Sequence, residues 1–204
     1  MLKRRVSEIP VVPSITSTED AKKRAFFLLR ERCPHANEGS RIVLLNPNAG
    51  FLPLRAWPLE NYMDLTRMLI ENTDVFVAVI GSNDAACEAK AICSLNSERC
   101  IDLTGRVTLE ELIDLFNIAR VLVTNDSGPA HFASLTPIRN LVLFGPETPR
   151  LYGPLGNQTR PFYAGFSCSP CISAFNHRNT PCSDAMCLKA IPVKDVYNAV
   201  REVV

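Results

Sequence analysis

Five short runs, apolar but for Asp102 and Thr124 and each separated from the next by a stretch with helical spacing, limit what this chain can fold into. They run from Ile42 to Leu45, Val75 to Ile80, Cys100 to Leu103, Val121 to Thr124 and Leu141 to Phe144. A strand with one wet face alternates apolar and polar residues, whereas a strand covered on both faces is apolar throughout. Covered strands joined by helices imply a parallel sheet with helical layers on both sides. The expected class is therefore α/β, a Rossmann-like doubly wound parallel sheet.

The segments between the runs carry their own signals. Pro58 stands at a favourable first helical position ahead of Leu59, Tyr62, Met63, Thr66, Leu69 and Ile70. A small-residue helix is expected through Ala85, Ala89, Ile92 and Cys93. Thr108 and Glu111 have the spacing of a capping box before Leu109, Leu112, Ile113 and Phe116. A short helix is expected from Pro129 to Leu135. An amphipathic one follows Pro192, with Val193, Val196, Tyr197, Val200 and Val203 on one face. Ahead of the sheet, residues 1–16 read as an extended arm and Glu19 to Arg32 as a helix stopped by Pro34.

Composition narrows the class of function. Lysine and arginine number 22 against 21 acidic residues, a net charge of +1, so no field exists to capture nucleic acid or an anionic membrane. No apolar run approaches the roughly 20 residues of a membrane span. Met1 to Arg5 resembles the start of a signal peptide, but Glu8, Pro10 and Pro13 break the apolar segment that should follow. A cytoplasmic protein is expected. Of the 15 prolines, seven fall between Pro146 and Pro192, so residues 146–191 should be loop-rich.

Several chemistries lack their motifs. There is no G-x-G-x-x-G, no P-loop, no H-E-x-x-H and no G-x-S-x-G. No D-x-D pair offers carboxylates for a metal bridging a sugar diphosphate. What remains is a set of loops that follow strands, and in a doubly wound sheet such loops line the ligand-binding edge. The strongest is Asn125-Asp126-Ser127-Gly128-Pro129-Ala130-His131. Asp126 or Ser127 can cap the helix, Gly128 allows close backbone approach, and Pro129 needs no partner for a missing N–H. Free amides and the helix dipole there suit a phosphate, while Asp126 can instead hold sugar hydroxyls. The alternative is an ordinary capped helix, with His131 a core residue rather than a ligand contact. Asn46-Pro47-Asn48-Ala49-Gly50 leads to Arg55, a cation placed for a second phosphate contact. Gly81-Ser82, with Asp84 or Glu88 behind it, is placed for a base or ribose.

Taken together these segments carry a resemblance. N-P-N-A-G, R-A-W-P-L-E-N-Y, I-G-S, L-T-G-R-V-T-L-E-E-L, T-N-D-S-G-P-A-H-F-A, L-F-G-P-E-T-P and Y-G-P-L-G follow one another from about residue 41. In that order they resemble the C-terminal half of glycosyltransferase family 9, the ADP-heptose:lipopolysaccharide heptosyltransferases. The resemblance implies a GT-B architecture, two Rossmann-like domains facing across a cleft, with the C-terminal one holding the nucleotide-sugar donor. It implies that Asn48, Ala49, Arg55, Gly81, Ser82, Asp126, Ser127, Gly128, Pro129 and His131 line the donor site. Arg55, standing where the family commonly has lysine before x-Trp-Pro, would stabilise the departing diphosphate. No metal is implied for catalysis.

The family's catalytic base lies on the N-terminal domain, which residues 1–40 are too short to supply. They are expected to be an arm plus helix left from an inter-domain linker, with residues 41–204 forming the donor domain. The expected partners are a nucleotide-diphosphate sugar, a glycan or lipid-linked acceptor and a chain supplying the N-terminal domain. The expected place of work is the cytoplasm, including the inner face of its membrane. Two alternatives stand beside this reading: a non-catalytic nucleotide-sugar binding module working through a partner, and a sugar-nucleotide epimerase on the same architecture.

Cysteines remain. Cys33, Cys87, Cys93 and Cys100 are scattered through regular segments and read as small buried hydrophobes. Cys168, Cys171, Cys182 and Cys187 are spaced so that a structural zinc could take all four; the alternative is unligated thiols packing a proline-rich loop.

Overall fold

A computed structural model describes residues 12–204. Six parallel strands form one sheet: β1 (Ile42–Asn46), β2 (Phe76–Val79), β3 (Cys100–Asp102), β4 (Val121–Asn125), β5 (Arg139–Phe144) and β6 (Thr159–Tyr163). Their spatial order is β3-β2-β1-β4-β5-β6, the doubly wound arrangement in which the winding reverses between β1 and β4. Register pairs Val43 with Val77 on one side and with Val121 on the other.

The period of two along each strand sorts the side chains into two cores. Val43, Leu45, Val77, Val79, Val121 and Val123 face one layer. It is built by α2 (Leu59–Asn72) and α8 (Val193–Arg201), with Tyr62, Leu65, Leu69, Val196 and Val200 buried against them. Ile42, Leu44, Ala78 and Leu122 face the opposite core, with Leu29 of α1 (Glu19–Arg30) and Leu115 and Phe116 of α4 (Leu109–Ile118). The helix α3 (Ala86–Cys93) packs Ala89 and Ile92 into the first core. The capping box is formed: Thr108 Oγ1 accepts from the Glu111 amide at 3.2 Å, and the Glu111 carboxylate accepts from the Thr108 amide at 2.7 Å.

Four features depart from the sequence expectations. The strand β6 was not foreseen, because Thr-Arg-Pro-Phe-Tyr mixes charge and proline; it lies at the sheet edge, where a missing N–H is tolerated. The helix α5 covers only Gly128–Ala133, two residues short of Leu135. Two short helices, α6 (Pro149–Tyr152) and α7 (Met186–Lys189), interrupt the loop-rich segment. Cys87 is exposed on α3 rather than buried, while Cys33 and Cys100 are in the core as expected.

The helix α1 buries Ala21, Ala25 and Leu29 and joins the same layer as α4. Ser17 Oγ donates to Asp114 Oδ1 at 2.5 Å, and the Ile15 amide donates to Leu135 O at 2.6 Å. Of the expected extended arm, residues 1–11 lie outside the described residues, and 12–18 have no regular secondary structure. Among the described residues no helix is long and apolar enough to cross a membrane.

Candidate functional site at the sheet switch point

Where the winding reverses, the loops after β1 and β4 leave the sheet in opposite directions and open a crevice at the strands' carboxyl ends. A network of buried amides fixes both loops. Asn46 Nδ2 donates to Thr124 Oγ1 at 2.9 Å and to Ser127 Oγ at 3.0 Å. Asn125 Nδ2 donates to Pro47 O at 2.8 Å, and its Oδ1 accepts from the Trp57 amide at 2.9 Å and from Tyr62 OH at 3.1 Å. Buried groups bonded in this way cannot be lost without leaving partners unsatisfied, so the crevice is rigid at its base.

On this base stands a cluster of charges. Arg55 lies in a single turn of 3-10 helix, Pro53–Arg55, and reaches over the crevice. Its Nη1 stands 3.1 Å from Glu147 Oε2 and 3.6 Å from Asp126 Oδ2. The side chain of Glu147 is 1% exposed and that of Asp126 5%, so neither carboxylate is relieved by water. From the far side, Arg178 Nε stands 3.5 Å from Glu147 Oε1. Asp126 Oδ2, Glu147 Oε1, Arg55 Nε and Asn46 Oδ1 are buried without a hydrogen-bond partner. Burial pushes the Asp126 carboxyl up to about 7; the neighbouring Glu147 carboxyl adds to the rise, and Arg55 pulls against it.

The expected site residues fall into two groups. Arg55, Asp126 and Ser127 come together, with Gly128, Pro129 and His131 following on α5. Ser127 occupies the cap position, but neither it nor Asp126 caps α5: the Ser127 hydroxyl makes no capping bond and is held by Asn46 instead. Pro129 has no N–H and the Ala130 amide already donates to Ser127 O at 3.1 Å, so this six-residue helix offers fewer free amides than expected. A side chain added at Gly128 would meet only Phe132, at 4.0 Å, so the space above it is open. His131 is exposed, not a core residue, and partial desolvation lowers its pKa, favouring the neutral ring.

Asn48, Ala49, Gly81 and Ser82 form the second group, on the β1 and β2 side. Asn48 Nδ2 donates to Ser82 Oγ at 3.3 Å, tying the two loops together. Gly81 has φ +149°, and a Cβ there would stand 3.2 Å from Ala85 Cβ, so glycine is required. Ala49 is buried and contributes shape rather than contact. Asp84 is exposed, whereas Glu88 is half-buried with Oε2 lacking a partner.

Glu147 is the residue sequence reasoning missed. It sits in Gly-Pro-Glu-Thr-Pro, where a charged residue in a turn ordinarily solvates, and only the fold places it beside Arg55.

The four clustered cysteines differ in exposure. Cys168 is exposed, Cys171 and Cys182 are half-buried and Cys187 is buried, all as free thiols. Among the described residues no group of three or more His, Cys, Asp or Glu side chains is arranged to hold a metal. Cys187 instead packs tightly against the sheet: a Cβ at Gly145 would stand 3.0 Å from its Sγ and 2.5 Å from Leu188 Cγ.

The chain is 34% identical over 118 residues to lipopolysaccharide heptosyltransferase 2 of Salmonella typhimurium, covering 56% of this chain and 34% of that one. It is 31% identical over 159 residues to lipooligosaccharide heptosyltransferase 2 of Haemophilus influenzae, covering 76% of this chain and 45% of that one. The matched regions thus span less than half of either relative. The fold superposes on E. coli ADP-heptose lipopolysaccharide heptosyltransferase II with a TM-score of 0.75 at 20% identity, over 93% of this chain and 53% of that one. The sequence pattern of glycosyltransferase family 9 (heptosyltransferase) matches residues 12–180, and the chain belongs to that family.

Proposed function

We propose that this chain is the donor-binding part of a heptosyltransferase-type glycosyltransferase. It takes a nucleotide-diphosphate sugar resembling ADP-heptose for transfer to a lipopolysaccharide or other glycan acceptor. The observation that carries this is the buried Arg55–Asp126–Glu147 cluster at the switch point of a family 9 fold. A guanidinium fixed beside the crevice offers charge-assisted donors to a phosphate oxygen. Glu88, on the β2 side, has the free carboxylate oxygen suited to ribose hydroxyls.

During glycosyl transfer the departing diphosphate gains negative charge. A cation already fixed beside it stabilises the transition state more than the ground state. Arg55 is placed for that role, with the open space above Gly128 receiving the phosphates. The base that activates the acceptor hydroxyl is not among the residues of this cluster. A chain or segment facing the crevice is expected to provide it.

Calorimetric titration with ADP and with UDP tests the reading. Saturable binding of ADP, abolished or much weakened in Arg55→Ala, supports it; no heat of binding at about millimolar ADP overturns it. The second reading is a nucleotide-sugar binding module without catalysis that works through a partner chain. ADP release from ADP-heptose in the presence of acceptor separates the two.

A further inference from the structure

The carboxyl pair at the switch point poses a charge problem that the donor-site reading leaves open. The groups facing Glu147 are Asp126 from the β4–α5 loop, Arg55 from the turn after β1, and Arg178 from the turn after residues 174–176. Arg178 is half exposed and screened, so Arg55 is the one fully engaged cation. Two ionised carboxylates against one guanidinium would leave a buried net charge of −1, where an anionic diphosphate is supposed to bind. Two acceptor oxygens, Asp126 Oδ2 and Glu147 Oε1, also stand buried with no donor. A single proton held between the carboxyls removes both difficulties: it supplies the missing donor, and it brings the cluster to neutrality.

Resting on the donor-site reading, we propose that Glu147 is a positioning residue: it shares one proton with Asp126 and, as the ionised member of the pair, holds Arg55 over the crevice for the donor diphosphate. The pair is thus a charge regulator. With the proton in place Arg55 is balanced by one carboxylate, and an incoming anion meets a neutral cluster with an accessible guanidinium edge. Without it the cluster is negative and repels the same anion. The elevated Asp126 carboxyl places this change near neutral pH.

Substitution separates the regulator from simple packing. In Glu147→Gln the side-chain shape and an acceptor for Arg55 persist, but Asp126 loses the neighbour that helps it keep a proton. Asp126 then ionises against Arg55 and the cluster stays neutral throughout. In Asp126→Asn only one carboxyl, that of Glu147, faces Arg55, so no second carboxylate can turn the cluster negative as pH rises. Both variants should lose the pH dependence, for different local reasons.

The test is the affinity for ADP-glucose, whose diphosphate does not itself titrate near neutrality, between about pH 6 and pH 8.5. Wild-type affinity should fall by about tenfold as pH rises, the effect of one uncompensated charge at a distance of several ångströms. His131, the other titratable group on α5, has a lowered pKa and is neutral over most of this range. Glu147→Gln should bind about threefold more weakly than wild type near pH 6 and no more weakly near pH 8.5, so that the two profiles cross. Asp126→Asn should vary by less than about twofold over the same range. A flat wild-type profile overturns the proposal without recourse to any variant. So does a Glu147→Gln profile parallel to that of wild type. Failure of the wild-type protein to bind ADP-glucose or ADP at any pH overturns instead the donor-site reading itself.

Discussion

Arg55 Nη1 stands 3.1 Å from Glu147 Oε2, and this one ion pair joins the loop after β1 to the loop after β5 across the reversal of the sheet. The two residues are 92 positions apart, and neither is part of a strand or of a long helix. Their meeting follows from topology: parallel strands deliver all their following loops to one edge, and the β1–β4 reversal opens that edge to a ligand.

Arg55→Ala removes the charge that compensates two buried carboxylates. Leaving a buried charge unpaired costs about 3–5 kcal/mol, less where the group can take up a proton. The variant should therefore be destabilised strongly near pH 8 and only weakly near pH 5.5, read from urea unfolding at both. Equal destabilisation at both would show that Arg55 acts by packing alone. In the complete enzyme the same substitution should lower kcat; a higher KM with unchanged kcat would contradict its role toward the leaving group.

Asp126 carries its own stability signature. Its carboxyl is raised from 3.8 to about 7, so between these values the folded protein holds a proton that the unfolded chain releases. That contribution is full below about pH 4 and is lost as pH rises through about 7. Its upper bound is on the order of 4 kcal/mol, at about 1.4 kcal/mol per unit. Asp126→Asn should gain stability relative to wild type as pH rises from about 5 to 8, measured by urea midpoints. A difference that stays constant would contradict the buried shared proton.

Gly145 ends β5 beneath α7. A methyl there would stand 2.5 Å from Leu188 Cγ and 3.0 Å from Cys187 Sγ. Gly145→Ala should cost about 1–3 kcal/mol by overpacking, seen as a lower urea midpoint with unchanged slope. Because Glu147 lies two residues on, ADP affinity should fall as well. A variant as stable as wild type would mean that α7 moves freely, contrary to its packing here.

The lattice of helices and strands was legible because its causes are local. Runs such as Val121 to Val123 are apolar throughout since both faces are covered, and Thr108 with Glu111 announces a helix start at close range. The strand β6 was hidden because an edge strand needs neither continuous apolarity nor every N–H, so Arg160 and Pro161 are tolerated. The Asp126 loop was visible as a motif, but its local chemistry was not: whether Ser127 caps α5 depends on Asn46, a residue of another strand. Glu147 had no local signal at all. The cysteines are a different case: Cys-x-x-Cys spacing suits a metal, but whether four thiols meet depends on the path of the chain between Cys171 and Cys182, which spacing alone does not set.

Metal analysis tests whether the four thiols bind zinc. Protein purified without added zinc should contain less than about a tenth of an equivalent, and chelation should leave its unfolding unchanged. Stoichiometric metal would show that these thiols form a zinc site.

The most direct measurement is a crystal structure of the protein with bound ADP. The account predicts the diphosphate at the carboxyl ends of β1 and β4, within hydrogen-bonding reach of Arg55 and above Gly128, with the ribose on the Ser82–Glu88 side. ADP bound away from this crevice, for example beside Arg120 and Arg139 at the opposite edge of the sheet, would contradict it.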